Sequence, residues 1–100
     1  MPAVARFDDL AEEHPCGITA NPEMVSSNVF CNNIPVHRLT DLNRTHLFLA
    51  PPICIPHQTP LVVASENVFV NNLGCARVGD IYDCGLAIVE GSPNVFCNGN

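Results

Sequence analysis

Lysine is absent from this 100-residue sequence, and its four arginines stand against ten acidic residues for a net charge of −6. A nucleic-acid-binding surface needs clustered positive charge to displace counterions, so nucleic acid is excluded as a partner. Charge of either sign is scarce: 14% of residues are charged and 47% hydrophobic. That is the reverse of a disordered chain, and a folded globule is expected. No apolar run reaches membrane-spanning length, and Asp8, Asp9, Glu12 and Glu13 stand where a secretory leader needs an apolar core. Synthesis in a cytoplasm is the resulting expectation. Also missing are a glycine-rich loop opening a helix and a serine with a basic partner. The four early carboxylates read as a solvated acidic edge. A zinc hydrolase would have only Glu13 or Asp83 as a base, and the sequence is read as that of a non-enzyme.

What is present is repetition. "NVFCNNIPVHRLTD" (residues 28–41) aligns on "NVFVNNLGCARVGD" (residues 67–80), sharing Asn-Val-Phe, an Asn-Asn pair, an arginine and a closing aspartate. A third copy, "NVFCNGN", begins at Asn94 and stops at its turn, and the chain opens with the complementary half, "PAVARFDD". Valine and phenylalanine favour strands, and Asn-Asn or Asn-Gly accepts the positive φ of a two-residue hairpin turn. Each unit therefore predicts a β-hairpin, with one strand pair divided between the two ends of the sequence. The segments between units, including "APPICIPHQTP" (residues 50–60), are rich in proline, glycine, threonine and serine and read as loops. The fold class expected is all-β: one domain over residues 1–100, a small cone of three pseudo-threefold hairpins, each burying a face against the other two.

A domain this small buries too little surface to be robust without a staple. Six cysteines offer either a disulfide framework or core thiols mixed with metal ligands, and the absence of an export signal favours the second. Cys31 and Cys97 stand where the middle copy has Val70, and Cys75 where the other units have Val4 and Val36. All three behave as small buried hydrophobes. Cys16, Cys54 and Cys84 lie in loops. His14 follows Asp9 by five residues, His46 follows Asp41 by five, and Cys84 follows Asp80 by four, so pseudosymmetry carries them toward one axis. With His57 from the proline-rich insertion, they make four ligands of zinc-compatible type. Cys16 and Cys54 compete as ligands, and a Cys54–Cys84 or Cys16–Cys54 disulfide stays open. His37 replaces an alanine of the other units and is left out. A closed four-ligand site is structural, with a contribution to folding on the order of 10 kcal/mol.

These motifs, "SPNVFCNG", "NVFVNNLGCARVGD" and "PAVARFDD", resemble the repeats of the PAAR family, the spike-tip proteins of type VI secretion systems and contractile-tailed phages. The naming tetrapeptide is degenerate, reading "AVAR", "PVHR" and "GCAR", and the usual glycine before the aspartate is Asp8 in the first unit and Thr40 in the second. The resemblance implies a cone with a structural zinc near its point, iron being the alternative, held by three histidines and one cysteine at His14, His46, His57 and Cys84. It also implies a broad base seated on a trimeric β-helical spike, one cap per trimer, and only transient contact with a membrane during penetration. Asn28, Val29 and Phe30, Asn67, Val68 and Phe69, and Asn94, Val95 and Phe96 are the residues expected to meet the spike. The expected location is a virion or a secretion apparatus. With no room for a toxin domain, the protein is expected to be a bare tip. The competing reading is a disulfide-stapled extracellular binding module without metal.

Overall fold

The computed structural model describes residues 1–97, and among them there is no helix. β1 (Phe30–Cys31) pairs antiparallel with β2 (Ile34–Pro35), and β5 (Phe69–Val70) with β6 (Leu73–Gly74). The turns between them, Asn32-Asn33 and Asn71-Asn72, have φ of 55° and 65°, and of 53° and 67°. Those left-handed pairs are what a twisted two-residue hairpin requires, and asparagine accepts them at little cost. The third unit has no turn among the described residues: Ala3 bridges Phe96, Val4 N–H donates to Val95 O at 3.0 Å, and Cys97 N–H donates to Pro2 O at 2.9 Å. The Asn98-Gly99 turn expected for this unit lies outside the described residues.

The second strands of the three units pair with one another in a closed triangle. Val4 bridges Arg77, Arg6 bridges Val36, and Arg38 bridges Cys75. At its centre three equivalent residues exchange backbone hydrogen bonds in one direction: Ala5 N–H to Ala76 O (2.9 Å), Ala76 N–H to His37 O (3.0 Å) and His37 N–H to Ala5 O (3.1 Å). All three are fully buried. This ring makes the pseudo-threefold arrangement physical, because each unit supplies one donor and one acceptor to its neighbours.

Each unit closes with the same ion pair three residues apart. Asp9, Asp41 and Asp80 each take two side-chain hydrogen bonds, from the Nε and Nη2 of Arg6, Arg38 and Arg77 respectively, at 2.7–3.0 Å, and accept the arginine backbone N–H as well. The residue before each aspartate, Asp8, Thr40 or Gly79, has φ of 60°, 72° or 93°. The turn geometry is thus kept where glycine is missing.

The core has two parts. One cluster is Val4, Cys31, Val36, Val70, Cys75 and Cys97, the inward side chains of the repeat strands. The other gathers Ala11, Leu61, Tyr82, Ile88 and small residues from the connecting segments. His37 belongs to the molecule's interior, its Nδ1–H donating to Met24 O at 2.6 Å and its Nε2 accepting from Tyr82 O–H at 2.9 Å. The longest strands, β3 (His46–Ala50) and β4 (Ile53–His57), form a hairpin in the proline-rich segment that the sequence read as loop. Proline could be accommodated because Pro51 and Pro52 occupy the turn and Pro56 lies on a two-stranded ribbon, where half of the backbone N–H groups need no partner.

Candidate metal centre

The β3–β4 register places His46 opposite His57, so the hairpin presents two imidazoles from directly paired residues at its open end. His14 comes from the loop after the first Arg-Asp turn, and Cys84 from the loop after the third. The four ligand-type atoms lie within 4.8 Å of one another. His57 Nε2 is 2.8 Å from His46 Nε2 and 3.2 Å from His14 Nε2, and Cys84 Sγ is 3.8 Å from His46 Nε2. A tetrahedral ion with bonds of about 2.0–2.1 Å to nitrogen and ~2.3 Å to sulfur sets its ligand atoms roughly 3.3–3.6 Å apart. The observed separations, from 2.8 Å to at most 4.8 Å, lie on both sides of that spacing, and the group could hold a metal ion once its side chains draw in around it. All four groups expected from the sequence are brought together.

Neighbouring groups prepare these side chains. His46 is fully buried, and its Nδ1–H donates to Arg44 O at 2.9 Å, which leaves the Nε2 lone pair to face the cluster. Thr59 O–H donates to Cys84 Sγ at 3.2 Å. Asn43, fully buried, holds that threonine through two hydrogen bonds of 2.9 Å, to its Oγ1 and from its backbone N–H. Phe48 stacks on His57 with ring centroids 4.5 Å apart. Burial, and then the charge of His46, lower the pKa of His14; burial and the charges of His46 and His14 lower that of His57. Three imidazole nitrogens so close together cannot all carry protons, and a neutral cluster is what a cation needs.

Sequence reasoning did not find Asn43, Thr59 or the Arg44 carbonyl, since nothing in their types or spacing marks them as supports. It also left Cys16 and Cys54 as rival ligands. They are joined in a disulfide, which removes both from the competition and leaves Cys84 as the cysteine of the site. The preference for core thiols and metal ligands over disulfides is corrected accordingly: one disulfide coexists with the histidine-cysteine group, linking the His14 loop to β4. No export signal could reveal it, because the pairing depends on loops that meet only in the fold.

The residues expected to meet a partner alternate in exposure in the first two units and are all exposed in the third. Phe30, Phe69 and Phe96 are 56%, 59% and 50% exposed, while the next residues, Cys31, Val70 and Cys97, are buried. Asn28, Asn67 and Asn94 are exposed, as is Val95, whereas Val29 and Val68 are half-buried against the core. In each unit the hydroxyl oxygen of Ser26, Ser65 or Ser92 accepts the N–H groups of the following Asn and Val, which fixes the entry to the strand. The turn asparagines then stitch units together: Asn71 Nδ2 donates to Asn28 Oδ1, and Asn32 Nδ2 to Asn94 Oδ1, both at 2.8 Å.

No curated protein matches the chain significantly. A family model described as PAAR motif matches residues 55–100, which take in the second complete repeat, the third copy and two of the four clustered ligand residues, His57 and Cys84. The threefold ring, the Arg-Asp turns and the His-Cys group carry the same pattern through residues 1–54, and over residues 55–100 the chain is similar to the PAAR-motif family, the spike-tip family of contractile injection systems.

Proposed function

We propose that this protein is a non-enzymatic cap on the end of a trimeric β-helical spike, stapled by a structural zinc ion at His14, His46, His57 and Cys84. The observation that carries the reading is the set of three exposed phenylalanines, Phe30, Phe69 and Phe96, at equivalent positions of the pseudo-threefold repeat. Three subunits ending together present three like strand edges, and one chain with three like apolar positions can meet them all. Three nitrogens and one sulfur suit zinc, and a fully protein-ligated ion stabilises rather than catalyses. The work cycle is the one that the resemblance to spike-tip proteins implies: sheath contraction pushes the spike, and the cap meets the target membrane first. The site of action is a virion or a secretion apparatus, and the Cys16–Cys54 disulfide favours service outside a reducing cytoplasm.

The disulfide also favours a second reading, an extracellular binding module. That reading requires no metal, so metal analysis of the purified chain separates the two: one zinc per chain supports the cap. The partner is tested by mixing the chain with a trimeric β-helical spike and measuring mass in solution. One chain per trimer is expected, with binding lost on replacing Phe30, Phe69 and Phe96 together by serine. A stoichiometry of three chains per trimer, or unchanged binding by the triple variant, sinks the cap.

A further inference from the structure

The six inward residues of the repeat strands pack in one cluster made of two sets of three equivalent positions, filled by valine except at Cys31, Cys75 and Cys97. Within it the sulfurs of Cys75 and Cys97 are 2.8 Å apart, and each residue is 2% exposed. A disulfide bond is about 2.05 Å long, so less than 1 Å of movement separates this thiol pair from a bond. Their place in the fold gives that bond a role. The first two hairpins are closed by Asn-Asn turns, but the third ribbon joins residues 95–97 to residues 2–4, which no hairpin turn connects. We propose that Cys75 and Cys97 are a disulfide-forming pair, which fastens the third ribbon, whose two strands are far apart in sequence, to the residue that follows β6 in the neighbouring unit.

The chain already carries Cys16–Cys54, so conditions that oxidise one pair are open to the other. The oxidant is a small disulfide of the glutathione class. Cys97 is the attacking thiolate, its pKa lowered by the hydrogen bond with Cys75 and by the Arg77 guanidinium, while the same hydrogen bond and burial raise that of Cys75. Cys97 Sγ attacks the small disulfide and expels one thiolate, forming a mixed disulfide. Cys75 Sγ gives up its proton and displaces the second thiolate. One S–S bond is formed and one broken, and the two protons leave on two small thiols. Entry of the oxidant accompanies opening of the third ribbon.

The test treats the full metal-loaded chain with oxidised glutathione, unfolds it with N-ethylmaleimide and no reductant, and maps the peptides by mass spectrometry. The expected result is a Cys75–Cys97 linked peptide beside Cys16–Cys54, with label on Cys31 and Cys84. Label on both Cys75 and Cys97, or Cys97 joined to Cys31, overturns the proposal. Cys75→Val supplies a second readout, since valine fills the equivalent positions at Val4 and Val36. Oxidation should raise the melting temperature of the parent chain by several degrees and leave that of Cys75→Val unmoved. An equal rise in both would overturn it as well.

Discussion

Asp8, Thr40 and Gly79 occupy the same left-handed position before an aspartate, yet only one of them is glycine. The Arg-Asp pair fixes the turn strongly enough for an L-residue to be carried in that conformation twice. A Cβ at Gly79 would meet nothing within 4 Å, so Gly79→Ala isolates the backbone cost. A loss of about 1–2 kcal/mol is expected in chemical denaturation, and no loss would mean that the turn is indifferent to φ. His37 is a second residue whose environment makes a prediction. Burial lowers its pKa from 6.5 to about 4, and both ring nitrogens are engaged as a neutral imidazole. Between those values the unfolded chain binds the proton that the folded chain refuses. Stability from this site is therefore complete above about pH 6.5 and declines as pH falls toward about 4, by roughly 3 kcal/mol in all. His37→Gln should flatten that part of the stability-against-pH curve, and parallel curves would refute the assignment. The Asn-Asn turns were legible residue by residue, because their φ preference is local. The support of Cys84 by Thr59 and Asn43 was not, because it joins residues from three loops.

At the scale of elements, the β3–β4 hairpin is the piece that sequence patterning misjudged. Proline suggested an irregular loop, but the cross-strand pairing of Leu47 with Pro56 and of Phe48 with Ile55 needs few N–H donors from the outer edges. The benefit is the placement of His46 against His57, which no loop would hold so closely. Register counting found His14, His46 and Cys84 because they follow equivalent aspartates, while His57 had no repeat to vouch for it. His46→Ala removes the fully buried member of the proposed zinc site and leaves the Arg44 carbonyl without its donor. Zinc content is expected to fall to well under one per chain, with a loss of about 3 kcal/mol or more in stability, and a chelator should then shift the parent's melting curve but not the variant's. An unchanged melting temperature would remove His46 from the site. The Cys16–Cys54 link ties β4 of the same hairpin to the His14 loop.

For the whole molecule, the extents of 41 × 24 × 23 Å describe an elongated body with two core clusters. The repeat made its all-β class and pseudo-threefold plan readable in advance, since three copies of one strand pair can bury their inner faces only together. The closed triangle of second strands could not be read, because partners such as Arg6 and Val36 are chosen by packing and not by any local motif. Calorimetric unfolding is expected as one transition with equal calorimetric and van't Hoff enthalpies; two resolved transitions would separate the repeats into independent units.

The backbone circuit through Ala5, Ala76 and His37 works like a reciprocal frame, in which every beam both rests on and carries another. A load delivered to any one repeat is handed to its neighbours in the same sense around the circuit, and no member can slip away while the other two keep their footing. For the spike cap proposed above, a point built this way would share an off-centre blow among all its parts instead of shedding the part that was struck.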